Sequence, residues 1–141
     1  MSVSSRLAMM AIASAALATA CDPQLTAQSP QPPGRSARLD PVSGAFSVKF
    51  YRLELSAAVA IAITCTYGAP CEHVVATSDN PAVAEVRPAS LGVLERGWTG
   101  DAQTASALVV VGKSPGATTI HVRAKEGRRE IEVTVIAPPA S

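Results

Sequence analysis

Residues Ala107 to Val122, Ala-Leu-Val-Val-Val-Gly-Lys-Ser-Pro-Gly-Ala-Thr-Thr-Ile-His-Val, constrain the fold more than any other stretch of the chain. Five apolar residues, Ala107 to Val111, lead into a Gly-Lys-Ser-Pro-Gly break. Beyond it Thr118, Ile120 and Val122 share one face of an extended chain, while Thr119, His121 and Arg123 share the other. β-Branched residues at period two on both sides of a glycine–proline break predict two consecutive strands. Pro115-Gly116 suits the centre of a type II turn, because proline presets φ and glycine accepts a positive φ.

The same signals recur through the second half of the chain. Phe46, Val48 and Phe50 alternate with Ser47 and Lys49, and the apolar phase then flips so that Tyr51, Leu53 and Leu55 oppose Arg52 and Glu54. A one-residue flip moves every side chain to the opposite face, so a bulge or a sheet switch is expected at Phe50–Tyr51. From Ala58 to Tyr67 the large residues Val59, Ile61, Ile63, Cys65 and Tyr67 alternate with small ones, predicting a strand. Gly68-Ala69-Pro70 reads as a turn leading to a strand over Glu72–Thr77. These two strands would form a hairpin stapled by Cys65–Cys71. So short a loop limits the bond's chain-entropy contribution to less than about 3 kcal/mol. Asp79-Asn80-Pro81 predicts the next turn, and Ala82–Val86 a short strand stopped by Pro88. Lys125-Glu126-Gly127-Arg128 is a tight turn before the alternation of Ile131, Val133 and Val135. About seven short antiparallel strands with no helical segment imply an all-β, two-sheet sandwich.

Two motifs carry a resemblance. Ser78-Asp79-Asn80-Pro81-Ala82-Val83-Ala84-Glu85-Val86 and Ser114-Pro115-Gly116-Ala117-Thr118-Thr119-Ile120 resemble the hairpin and the turn-strand of the bacterial immunoglobulin-like domain, group 2. The resemblance spans Phe46 to Ile136 and implies an immunoglobulin-like β-sandwich of a cell-surface protein. Both motifs are packing and turn chemistry rather than catalytic signatures. The chain departs from the family at Ala76, where a tryptophan is frequent. It also departs over Arg87–Thr104, where a short Asn-Gly turn is usual. That long segment contains the only tryptophan, Trp98, flanked by Arg96 and Asp101. Leu91, Val93, Leu94 and Trp98 read as a cover folded back on the sandwich. The other reading makes Arg96, Trp98 and Asp101 an exposed binding loop for a protein or a sugar.

The first residues supply an address. Met1–Arg6 is polar with one positive charge, Leu7–Ala20 is apolar and alanine-rich, and Cys21 follows. This pattern reads as a secretory signal peptide over 1–20, too short to span a membrane. Ala18-Thr19-Ala20-Cys21 resembles a bacterial lipobox, with Ala18 where leucine is commonest. The resemblance implies acylation of Cys21, palmitate among the acyl chains, and attachment to the cell envelope. The alternative is plain secretion with Cys21 a free thiol. The chain has three cysteines, so acylation of Cys21 leaves Cys65 and Cys71 as an even pair for an oxidising compartment. Residues 21–41 carry Pro23, Pro30, Pro32, Pro33 and Pro41 and few large apolar residues besides Leu25 and Leu39. They read as a disordered linker that would reach roughly 60 Å if extended as polyproline II. The expected sandwich is then 42–137, with 138–141 as a tail.

Other chemistries find little support. The formal net charge of +1 in 141 residues gives no basic face for nucleic acid. Gly112-Lys113-Ser114 resembles the end of a phosphate-binding loop, yet Ala107 stands where its first glycine belongs and Pro115 where its helix should start. Cys65, Cys71, His73 and His121 could be drawn as a zinc set, but their spacing is not a usual zinc pairing. No nucleophile elbow or defined triad is present. The sequence therefore predicts no catalytic residues, metal or cofactor. It predicts a non-catalytic envelope lipoprotein that presents one module for binding or scaffolding, held to a membrane by its lipid and meeting a protein or cell-wall partner. The alternative is a secreted, unlipidated carbohydrate- or protein-binding module using Arg87–Thr104.

Overall fold

A computed structural model describes residues 22–28, 32–45, 47–90 and 106–138. The signal segment, Cys21 and the stretch holding Arg96, Trp98 and Asp101 lie outside the described residues. Strands are β1 (Gln24–Ala27), β2 (Ala37–Ser43), β3 (Val48–Ser56), β4 (Ala60–Thr66), β5 (Val75–Ser78), β6 (Ala84–Ala89), β7 (Ala107–Gly112), β8 (Gly116–Ala124) and β9 (Gly127–Ile136). They form a four-stranded sheet, β1-β4-β7-β6, and a five-stranded sheet, β2-β3-β9-β8-β5. The described residues are all-β, a two-sheet sandwich as the alternation predicted.

The core is the set of inward residues from both sheets. Leu53, Leu55, Ile61, Ile63, Leu108, Val110, Ile120, Ile131 and Val133 are buried, and they occupy alternate positions of β3, β4, β7, β8 and β9. Each of these strands offers one apolar face, and stacking the two sheets removes both faces from water. Gly112 shows how close the approach is, because a Cβ there would lie 2.8 Å from the Ser56 carbonyl oxygen.

Several expectations are corrected. First, the strands number nine among the described residues rather than about seven, and they are not all antiparallel: β3 runs parallel to β9. The chain does not turn back after β3. It crosses to the other sheet through Ala57–Val59, where Ala58 adopts a φ of 61° and its amide donates to the Gly112 carbonyl at 2.8 Å. The flank of β3 is left for β9.

Second, the stretch 21–41 is not simply a linker, and the sandwich does not begin at 42. β1 pairs with β4 over Gln24↔Thr66 to Ala27↔Ile63, and β2 pairs with β3 from Ala37↔Leu55. Both are edge strands. An edge strand needs few buried side chains and tolerates proline, so Leu25, Ala37 and half-buried Leu39 suffice while Pro41 sits within β2.

Third, Cys65–Cys71 does not staple a hairpin. β5 belongs to the other sheet and pairs with β8. The bond instead ties the end of β4 to the crossover, with Cα atoms 5.3 Å apart. Buried Cys71 and Val74 carry the chain over the end of the core.

Fourth, the phase flip lies slightly earlier than expected. Val42 pairs with Phe50 and Ser43 with Val48, so Lys49 is the extra, bulged residue. Tyr51, Leu53 and Leu55 form the buried set as read. Pro88 also fails to stop β6, which reaches Ala89 as an edge strand.

Candidate functional site

The registers define two poles. β4 runs toward Thr66, β1 starts opposite it at Gln24, and β8 ends where β9 begins at Gly127. The pole at these ends, here the near pole, therefore gathers Asp22 and Pro23, the disulfide crossover and the β8–β9 turn. The far pole holds Gly34, Ala57, the Asn80–Ala82 turn, Lys113–Pro115 and the end of β9.

At the near pole the chain is held from Asp22 onward. Arg129, whose side chain is 9% exposed, donates from Nε to the Pro23 carbonyl at 2.8 Å. Its terminal nitrogen meets the Asp22 carboxylate at 3.1 Å. A guanidinium is well suited to this, since its planar fork serves a carbonyl and a carboxylate together. Pro23 is buried, and its ring covers Gly127, where a Cβ would lie 3.0 Å from Pro23 Cδ. The Leu25 amide points away from β4 and donates to the Tyr51 hydroxyl at 2.9 Å. Tyr51 is 3% exposed, so its ring sits in the core while its hydroxyl satisfies an amide that an edge strand would otherwise leave open.

An open groove runs beside this lock, lined by Asp22, Gln24, Val48, Tyr67, Gly68 and Arg129. Tyr67 is 45% exposed. Its backbone is fixed by the disulfide turn: its amide donates to the Ala69 carbonyl at 2.7 Å, and the Cys71 amide to the Cys65 carbonyl at 2.9 Å. Nearby, Lys125 Nζ meets the Glu72 carboxylate at 2.7 Å. The hydrogen bond from Lys125, followed by its charge, holds the Glu72 carboxyl below the usual carboxylate range. The same bond raises the Lys125 ammonium. The end of β6 and the start of β7 also lie at this pole, where the Ser106 amide donates to the Ala89 carbonyl at 3.0 Å.

The residues singled out from sequence fall as follows. Cys65 and Cys71 are disulfide-bonded, so neither thiolate is free to hold a metal. His73 lies exposed in the crossover with a φ of 54°. His121, on the outer face of β8, meets Asp79 at 3.2 Å through Nε2 and Glu130 at 3.5 Å through Nδ1. Both ring nitrogens therefore face carboxylates on the solvated side of the sheet. Lys113 pairs with Glu85 at 3.2 Å and Ser114 donates to the Ala82 carbonyl at 2.7 Å, so Gly112-Lys113-Ser114 is a turn braced against the Asn80 loop. The sequence reading placed Tyr51 in the buried set and Pro23 in the linker, but it gave neither of them, nor Asp22 or Arg129, a part in holding this segment to the sandwich. The available signal was Leu25, an isolated large residue in a polar stretch.

No family model matches the chain, and no curated protein matches it. Among solved structures it is similar to domains 4 and 5 of the S-layer protein SbsC, with 17% identity and a TM-score of 0.42. That likeness covers 81% of this chain and 54% of the other. It is also similar to domains 4–9 of the same protein, with 20% identity, a TM-score of 0.45, and 72% of this chain and 15% of that one covered. The chain thus spans about half the length of the first of these structures. At these scores the likeness says nothing of what this chain binds.

Proposed function

We propose that this chain is a non-catalytic envelope lipoprotein, acylated at Cys21, that presents one immunoglobulin-like sandwich for binding or scaffolding. The observation that carries the reading is the partition of its three cysteines. Cys65 and Cys71 are joined within the fold, and a disulfide of this kind belongs to an oxidising compartment outside the cytoplasm. Cys21 is left over, directly after an apolar, alanine-rich segment ending Ala18-Thr19-Ala20. Acylation accounts for that odd cysteine; an unmodified thiol would remain reactive in the same compartment.

The remaining chemistry supports a scaffold. The outer face of the five-stranded sheet carries the ion pairs Arg38–Asp40 and Arg52–Glu132, together with the His121–Glu130 contact, on a solvated surface. Such exposed pairs contribute little to stability and leave the face polar. The membrane is the first partner, through the lipid, and a protein or cell-wall component the second.

The test is the intact mass of the mature chain from a bacterial membrane fraction. The expected result is a chain starting at Cys21 with a diacyl- or triacylglyceryl adduct and two cysteines inert to alkylation. A soluble, unmodified chain would overturn the lipoprotein reading and favour the secreted module. Two reactive thiols would overturn the disulfide.

A further inference from the structure

We propose that the near pole is the membrane-facing surface of this protein: the lipid at Cys21 holds the sandwich directly against the headgroups, with no tether between anchor and fold. The proposal rests on acylation of Cys21. It is carried by how close to Cys21 the sandwich begins. Consecutive Cα atoms are about 3.8 Å apart, so Cys21 lies one peptide unit from Asp22. Asp22 is already fixed, with its carboxylate 3.1 Å from Arg129. Pro23 is buried, its carbonyl accepts from Arg129 Nε at 2.8 Å, and β1 begins at Gln24. Flexible residues between the acylated position and the sandwich are therefore absent, and a rigid body attached at one pole turns that pole toward its anchor.

The composition of the pole suits a headgroup layer. Tyr67, 45% exposed, lines the groove that also holds Asp22 and Gln24. A tyrosine has an apolar ring and a polar tip, the combination favoured at membrane–water boundaries. Two charge pairs lie beside it, Asp22 with Arg129 and Glu72 with Lys125, and pairing lowers the cost of bringing these four groups near a bilayer. β9 has ten residues running from this pole to the other, so the far pole stands about 33 Å further out. The Asn80–Ala82 and Lys113–Pro115 turns then face away from the bilayer and are the surface offered to a partner.

The mature full chain, purified with its anchor and placed in nanodiscs, can be probed with a gadolinium chelate on the lipid headgroup while backbone amides are read by NMR. Broadening falls with the sixth power of distance. A pole separation of about 33 Å predicts that Gly68, Glu72 and Gly127 relax at least about tenfold faster than Gly34, Lys113 and Ser114. Insertion of about ten glycine and serine residues between Cys21 and Asp22 should level that gradient. Equal broadening at both poles, a reversed gradient, or a gradient unchanged by the insertion would each overturn the proposal. Intact mass of the same sample separates the two levels. Unmodified Cys21 overturns the lipoprotein reading together with this one, whereas acylated Cys21 with uniform broadening overturns this one alone.

Discussion

Replacing Tyr51 with phenylalanine tests whether the start of the chain is part of the core. The substitution removes one oxygen and keeps the ring, so no cavity forms and the buried apolar contacts survive. The sign of the effect therefore depends on what the hydroxyl does. A buried hydroxyl without a partner would be costly, and its removal would be neutral or stabilising. In this structure the hydroxyl accepts the Leu25 amide at 2.9 Å in a buried setting. Its loss orphans that amide, which costs about 1–3 kcal/mol. For a domain of about 100 residues, 2 kcal/mol corresponds to a fall in Tm of roughly 10 °C. Urea and thermal unfolding of the mature chain, with the disulfide intact, measure the stability change. Hydrogen exchange localises it: the Leu25 amide should exchange faster, while the Gln28 amide, bonded to the Ala62 carbonyl at 2.9 Å, changes only with global stability. A variant as stable as the parent, or one in which Leu25 exchange is unmoved, would refute the reasoning.

Three further outcomes follow from the packing and charges. Gly112→Ala forces a Cβ within 2.8 Å of the Ser56 carbonyl oxygen and 3.2 Å of the Leu55 side chain. The resulting strain should cost about 1–3 kcal/mol, outweighing the smaller gain from a stiffer unfolded chain; denaturant midpoints check it. The double change Cys65→Ala with Cys71→Ala reopens a loop with a sequence separation of 6, which chain entropy puts at about 2 kcal/mol. Unfolding in the presence and absence of reductant should show the same loss in the parent. Because Lys125 holds the Glu72 carboxyl down, this group stabilises the fold above its unfolded pKa, and the contribution is lost as pH falls through the lower folded value. Lys125→Met should move the Glu72 carboxyl titration, followed by NMR, back up, and added salt should shrink the difference between the two proteins.

The sequence was most legible where a strand buries one whole face. β4, β7, β8 and β9 showed their alternation because Ile61, Ile63, Leu108, Val110, Ile120, Ile131 and Val133 all enter the core. The bulge in β3 was visible for the same reason, since a change of face leaves a break in the alternation. β1 and β2 stayed hidden because an edge strand gains most of its order from backbone pairing with a neighbour, which leaves no trace in side-chain period. Their prolines then read as linker chemistry. The destination of β5 was equally hidden. A turn followed by an extended segment predicts a hairpin, whereas Cys71 and Val74 carry this one across the core into the other sheet. At the candidate site, the cysteines could be singled out from parity alone. Arg129 could not, because its partners Asp22 and Pro23 lie more than a hundred residues earlier and only the closed sandwich brings them together.

Hydrogen exchange of the segment from Gln24 to Gln28 in the mature, full-length chain tests the central claim most directly. If this segment is a strand of the sandwich, the Leu25 and Gln28 amides should exchange slowly, in step with their partners on β4. Exchange at the rate of an unstructured peptide, with β4 still protected, would make these residues a tether and contradict the account.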